Sequence, residues 1–146
     1  MACMVAYLGF DGNCAEAMRF YERVLGLGAR LEVLVSGADT PMAEQMPAEH
    51  RHRIMHARLA FEDGSWLFAG DAPANRAWEG IKGITMTLNY PTTAEAERVF
   101  KSLADGGSVG MPIQPTFWAK VCGMVNDRYG TPWIINGELL PVYAKT

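Results

Sequence analysis

Apolar residues recur at two periods along this chain, and each switch between them marks an element. Ala17, Phe20, Tyr21, Val24 and Leu25 fall at i, i+3, i+4 spacing, as do Ala96, Val99, Phe100, Leu103 and Ala104. That spacing predicts two helices, each with one apolar face. Asn13 and Thr92 stand at the N-cap positions, with Glu16 and Glu95 three residues on, the pattern of a capping box. Gly26 with Gly28, then Gly106 with Gly107, supply the stops. Shorter β-rich runs predict strands over 4–10, 29–35, 54–61 and 65–70 around the first helix, and over 84–90, 106–114, 121–126 and 131–136 around the second. Glu62-Asp63-Gly64 and Asp127-Arg128-Tyr129-Gly130 are the turns between the last strands of each set. Residues 36–53 carry glycine, two prolines and many polar side chains, which predicts a mobile loop with a short helical turn.

The two halves repeat each other. Ala15, Glu16, Ala17 and Arg19 recur as Ala94, Glu95, Ala96 and Arg98, and Gly28 falls on Gly107, all at one offset. An internal duplication follows. Each half reads strand, helix, three strands, with a linker over 71–83. The expectation is an α+β fold: a single domain over 1–146, built of two tandem βαβββ modules, about 1–74 and about 80–146. One such unit leaves a sheet face uncovered and is too small to stand alone. Two of them forming a curved mixed sheet around a concave pocket would place a ligand in that concavity. Arg19 and Arg98 lie mid-helix and read as solvated residues.

Charge and composition exclude several classes. With 146 residues, 49% hydrophobic content and a net charge of −3, the chain has an ordinary globular composition and no basic face for nucleic acid. No apolar run approaches the roughly 20 residues of a membrane span. The N-terminus lacks the pattern of a signal peptide, so a cytoplasmic location is expected. Cys3, Cys14 and Cys122 contain no CxxC, which argues against a disulfide framework or a thiolate zinc site. Cys14, in the first turn of a helix, is the better candidate for a reactive thiol; Cys122 reads as a small buried one.

The combination of motifs resembles the vicinal oxygen chelate superfamily of glyoxalases, extradiol dioxygenases and bleomycin-resistance proteins, and within it the PhnB-like group. The residues that carry the resemblance are 7–14 (YLGFDGNC), Phe20-Tyr21 with Leu25-Gly26, 54–57 (IMHA), Asp71-Ala72-Pro73, Phe117-Trp118, and 124–136 from Met124-Val125-Asn126 to Trp133-Ile134-Ile135-Asn136. The resemblance implies a homodimer and a divalent metal held by His, Gln or Glu on four strands, two from each module. Carried over, two of those positions are Ala6, which has no donor, and Thr85, a poor ligand; the others lie near Asp71 and Asn136. The usual metal site therefore looks broken, and no cofactor is expected unless a divalent metal binds elsewhere. PhnB-like proteins are often labelled 3-demethylubiquinone methyltransferases, yet the chain has no Gly-rich strand-to-helix turn of the kind an AdoMet domain uses.

Other candidates come from strand alternation. His56 and Arg58 fall opposite the apolar set Met55, Ala57, Leu59 and Phe61, so they face the concavity. Arg58 either holds an anionic or enolate oxygen or pairs with Glu62 or Asp71. Asp71 is a base, a ligand or a turn cap, and His56 with Asp71 is the attractive acid–base pair. His50 and His52 read as solvated loop residues or as partners of His56 in a metal site. Thr85, Thr87 and Asn89 form the polar face of their strand. Thr116, Phe117 and Trp118 form either a pocket wall or a dimer contact. Two functions compete: a protein binding a small polar or anionic ligand through Arg58, Thr85, Thr87, Thr116, Trp118 and Asn136, or a metal-dependent lyase, isomerase or dioxygenase using His56 and Asp71.

Overall fold

Leu8 and Phe10 alternate with Tyr7 and Gly9 on the opening strand, β1 (Tyr7–Phe10), and this alternation settles which way the strand faces. Leu8 and Phe10 are buried, while Tyr7 is 55% exposed. In the computed structural model, which describes residues 1–144, the chain divides into two units, Met1–Gly80 and Ile81–Thr146. In the first unit β1 is followed by α1 (Cys14–Val24), β2 (Arg30–Ser36), β3 (Ile54–Ala60) and β4 (Trp66–Asp71). The strands lie in the order β1-β4-β3-β2, with β1 parallel to β4 and the remaining pairs antiparallel. Cys14, Ala17, Met18, Phe20 and Tyr21 form the buried face of α1. They meet Leu8, Phe10, Ala57, Leu59, Leu67 and Ala69, all buried. Full burial of each large apolar side chain contributes about 1.5–3 kcal/mol.

The second unit repeats this order with β5 (Met86–Tyr90), α2 (Thr93–Ala104), β6 (Ser108–Gln114), β7 (Ala119–Asn126) and β8 (Pro132–Leu139). Its sheet runs β5-β8-β7-β6, again with its first and last strands parallel. Ala96, Val99, Phe100 and Leu103 face inward from α2. The helix lies close enough that a Cβ at Gly123 would sit 2.5 Å from the Phe100 ring. The expected α+β architecture of two tandem βαβββ modules is thus present as two four-stranded mixed sheets, neither of which closes on itself.

Element ends differ from the expectation in instructive ways. Segments 4–6 and 84–85 precede their strands rather than belonging to them, and β8 runs on to Leu139. The segment over 36–53 folds as three 3-10 turns, Gly37–Asp39, Ala43–Gln45 and Ala48–His50. Thr92 caps α2, accepting from the Glu95 N–H at 3.2 Å. Asn13 makes no cap bond, and its Oδ1 is buried without a partner among the described residues. Arg19 and Arg98 are exposed.

Candidate functional site

The pleat of the first sheet sends the odd-numbered residues of β4 toward α1 and Trp66, Phe68 and Gly70 to the opposite, helix-free face. His56 and Arg58 of β3 stand on that same face, because Ala57 and Leu59 are the buried ones. Tyr7 of β1 joins them. The His56 ring lies 4.9 Å from Phe68 and 5.8 Å from Tyr7, centroid to centroid. Trp66 stacks on Phe68 at 5.9 Å, and the Arg58 guanidinium carbon lies 5.1 Å from the Trp66 centroid. Arg58 Nη2 also reaches Glu32 Oε2 of β2 at 3.2 Å, so its ion-pair partner is Glu32 and neither Glu62 nor Asp71. The Arg58 Nε is buried and has no hydrogen-bond partner among the described residues.

A hydrogen-bond relay orients the histidine. Tyr7 Oη donates to the Met55 carbonyl at 3.1 Å, which uses its only proton. His56 Nδ1, at a long 3.4 Å, then donates to the phenol oxygen, leaving Nε2 as an acceptor. Tyr7 reaches this position across Gly70, where a Cβ would fall 2.8 Å from Oη. Burial, and next the nearby Cys14 thiol, raise the Tyr7 pKa, so the phenol remains protonated near neutrality. Tyr7, Glu32, Trp66 and Phe68 escaped the sequence reading. Counting by twos back from Leu67 and Ala69 would have placed Trp66 and Phe68 beside His56.

Asp71 lies elsewhere. One residue beyond Gly70, it falls on the helix side of the sheet, so the pleat does not bring it together with His56. Its Oδ1 accepts from the Gly12 and Cys14 N–H groups at 2.7 and 3.1 Å, and its Oδ2 from the Ile54 N–H at 2.7 Å. The side chain is therefore the N-terminal cap of α1 that Asn13 fails to provide, and it ties the helix to β3. Cys14 beside it is buried, and burial followed by the Asp71 charge pushes its pKa up to about 12. The helix N-terminus does not activate this thiol, contrary to the expectation of reactivity. Cys122 is buried too, and burial raises its pKa.

In the second unit, Asn89 and Asn136 sit opposite each other on β5 and β8 and share one face with Thr87. Asn136 Nδ2 donates to Asn89 Oδ1 at 2.9 Å, and Trp118 Nε1 donates to Asn136 Oδ1 at 3.0 Å. Thr116 exchanges bonds with the Ala119 N–H and carbonyl, so its hydroxyl shapes the turn before β7. Thr85 and Thr87 are exposed. The Phe117 ring packs edge-on against Trp118 at 4.8 Å and against Tyr143 at 6.2 Å.

The donor chemistry does not fit the superfamily's metal. Ala6 contributes only its carbonyl, which accepts from the Phe68 N–H. Thr85 is a neutral hydroxyl, Asp71 is occupied by three N–H groups, and Asn136 by Trp118 and Asn89. Among the described residues no three His, Cys, Asp or Glu side chains gather to hold a metal ion. AdoMet fits no better. Each sheet has one parallel pair, and the turn from β1 into α1 is Asp11-Gly12-Asn13, short of the Gly-rich loop such a cofactor takes.

Comparison with known proteins agrees with this architecture. The model of the family described as 3-demethylubiquinone-9 3-methyltransferase matches residues 2–136. Protein YjdN of Escherichia coli is 33% identical over 138 residues, covering 89% of this chain and 91% of its own. Protein PA1353 of Pseudomonas aeruginosa, a solved structure, is 44% identical, with a TM-score of 0.85 over 94% of this chain and 98% of its own. The PhnB protein of Bacillus cereus shares the fold at 22% identity and a TM-score of 0.77, over 93% of this chain and 99% of its own. The match spans nearly the whole sequence, and the chain belongs to the family described as 3-demethylubiquinone-9 3-methyltransferase, the PhnB-like group with the vicinal oxygen chelate fold.

Proposed function

We propose that the chain binds a small polar or anionic molecule on the helix-free face of the first sheet. Arg58 holds the anionic group and His56 Nε2 takes a hydrogen bond from the ligand. The observation that carries this reading is the Arg58 guanidinium, one third exposed on the same face as His56 and held in place by Glu32 and Trp66, a fixed cation that an anionic group can reach. Trp66 and Phe68 supply apolar walls, and the guanidinium is held by Trp66 and Glu32 without being neutralised on all sides. On the second unit, Thr85 and Thr87 offer exposed hydroxyls in front of the Asn89–Asn136–Trp118 row, with Thr116 holding the turn that carries Trp118. An acid–base enzyme built on His56 and Asp71 finds no support, since the two side chains stand on opposite faces of the sheet.

Trp66 reports directly on the site. Titration of small carboxylates and phosphonates should change its fluorescence saturably, and Arg58→Ala should weaken the best ligand at least tenfold, about 1.4 kcal/mol. Equal affinity in the variant would remove Arg58 from the site. We further propose a cytoplasmic homodimer, on separate grounds. Three free cysteines suit a reducing compartment. Both sheets have open edges, and Phe117, Val142 and Tyr143 expose apolar surface. Sedimentation should give twice the 16.0 kDa chain mass at micromolar concentration; a stable monomer there would refute the dimer.

A further inference from the structure

The 3-10 turns over 37–50 lean on the ends of β3 and β4 and leave a cavity of about 590 Å³ within the first unit. This volume is in the range of small-molecule sites, roughly 300–1,000 Å³. Met42, Met46, Ile54 and Met55 supply much of its wall. Met42 is 52% and Met55 42% exposed, so two large thioether side chains face an opening that nothing else in the unit fills. Thioethers adapt to irregular apolar guests. The charges at this wall are already matched within the protein. Arg53 pairs with Asp11 and donates to the Ala72 carbonyl, and Asp71 accepts its three N–H groups. His50 and Asn75 also line the cavity, and neither makes a side-chain hydrogen bond among the described residues.

An apolar wall, internally matched charges and two hydrogen-bonding side chains without a partner among the described residues define a guest chemistry. We infer that this cavity is a second ligand site, taking an uncharged, largely apolar molecule with one hydrogen-bonding oxygen that His50 or Asn75 meets. Neither Arg58 nor the face it occupies takes part, so the site stands or falls apart from the anion site proposed above.

The probe is 6-propionyl-2-dimethylaminonaphthalene, a neutral naphthyl ketone whose emission shifts to the blue in apolar surroundings, titrated into the full chain. Binding at one site per chain with blue-shifted emission is expected. Ala74→Trp, at an exposed position on the cavity wall, should weaken it at least fivefold by filling the space. Met42→Asp, also at an exposed position, should do the same by charging the wall, while Arg58→Ala should leave affinity within twofold. An anilinonaphthalene sulfonate of similar size should bind at least fivefold more weakly than the ketone. No saturable binding to the unaltered chain, a loss under fivefold in both wall variants, a loss confined to Arg58→Ala, or a preference for the sulfonate would each overturn the proposal.

Discussion

Replacing Asp127 by alanine is expected to lower the stability of the folded chain by about 4 kcal/mol, the largest effect of any single substitution considered. The carboxylate is 4% exposed and sits at the start of the β7–β8 turn. Its Oδ1 accepts from the Tyr129 N–H at 2.8 Å and the Thr131 N–H at 3.1 Å, and its Oδ2 accepts from Trp133 Nε1 at 2.8 Å. Trp133 is itself 1% exposed, so losing the carboxylate strands an indole N–H inside the core and opens the turn at once. Urea unfolding of the full chain measures the loss. Adding Trp133→Phe removes the stranded donor, so the two substitutions together should cost less than the sum of their separate effects. An Asp127→Ala protein with an unchanged midpoint would contradict this account.

Asp71→Ala should cost about 3 kcal/mol, with a different signature. It releases two N–H groups at the start of α1 and one on β3, all part-buried. Hydrogen exchange should therefore quicken first at Gly12, Cys14 and Ile54, before the rest of the first unit. Asp71→Asn should lose less, because its amide oxygen still accepts. Protection of those three amides equal to that of the unaltered chain would show that the carboxylate is not the cap.

Both aspartates are visible in the sequence, and a cap is one of the three readings open for Asp71, but which groups each carboxylate holds is not visible there. Asp127 read as a turn residue, because local pattern shows the turn and not the tryptophan six residues on. Asp71 bonds to Gly12 and Cys14, more than fifty residues away, and no capping rule of short range reaches that far. Asn13 satisfied that rule in sequence and failed in space, while Thr92 obeyed it by accepting from the Glu95 N–H, even though Glu138 of β8 reaches the Thr93 N–H of the same helix at 3.1 Å. Periodicity located both helices and the order of all eight strands, since a buried face imposes it. It also placed His56 and Arg58 on one face. The aromatic neighbours and Glu32 come from other strands, and register between strands is set by pairing that the sequence does not display.

The register of β1 has a consequence for how the chain is made. Tyr7 lies beside Phe68 and Phe10 beside Asp71, so the first strand synthesised pairs with the last strand of its unit. Between them, β3 and β4 join through a short turn and form their ladder from near neighbours in sequence. On a ribosome, β1 therefore emerges early and waits without its one neighbouring strand. When Asp71 clears the exit, the parallel ladder and the N-terminus of α1 are completed by the same few residues. Until then only β2 and β3 can cover the apolar face of α1 and β1 has no strand beside it, and that incomplete sheet is what a chaperone would meet on the nascent chain.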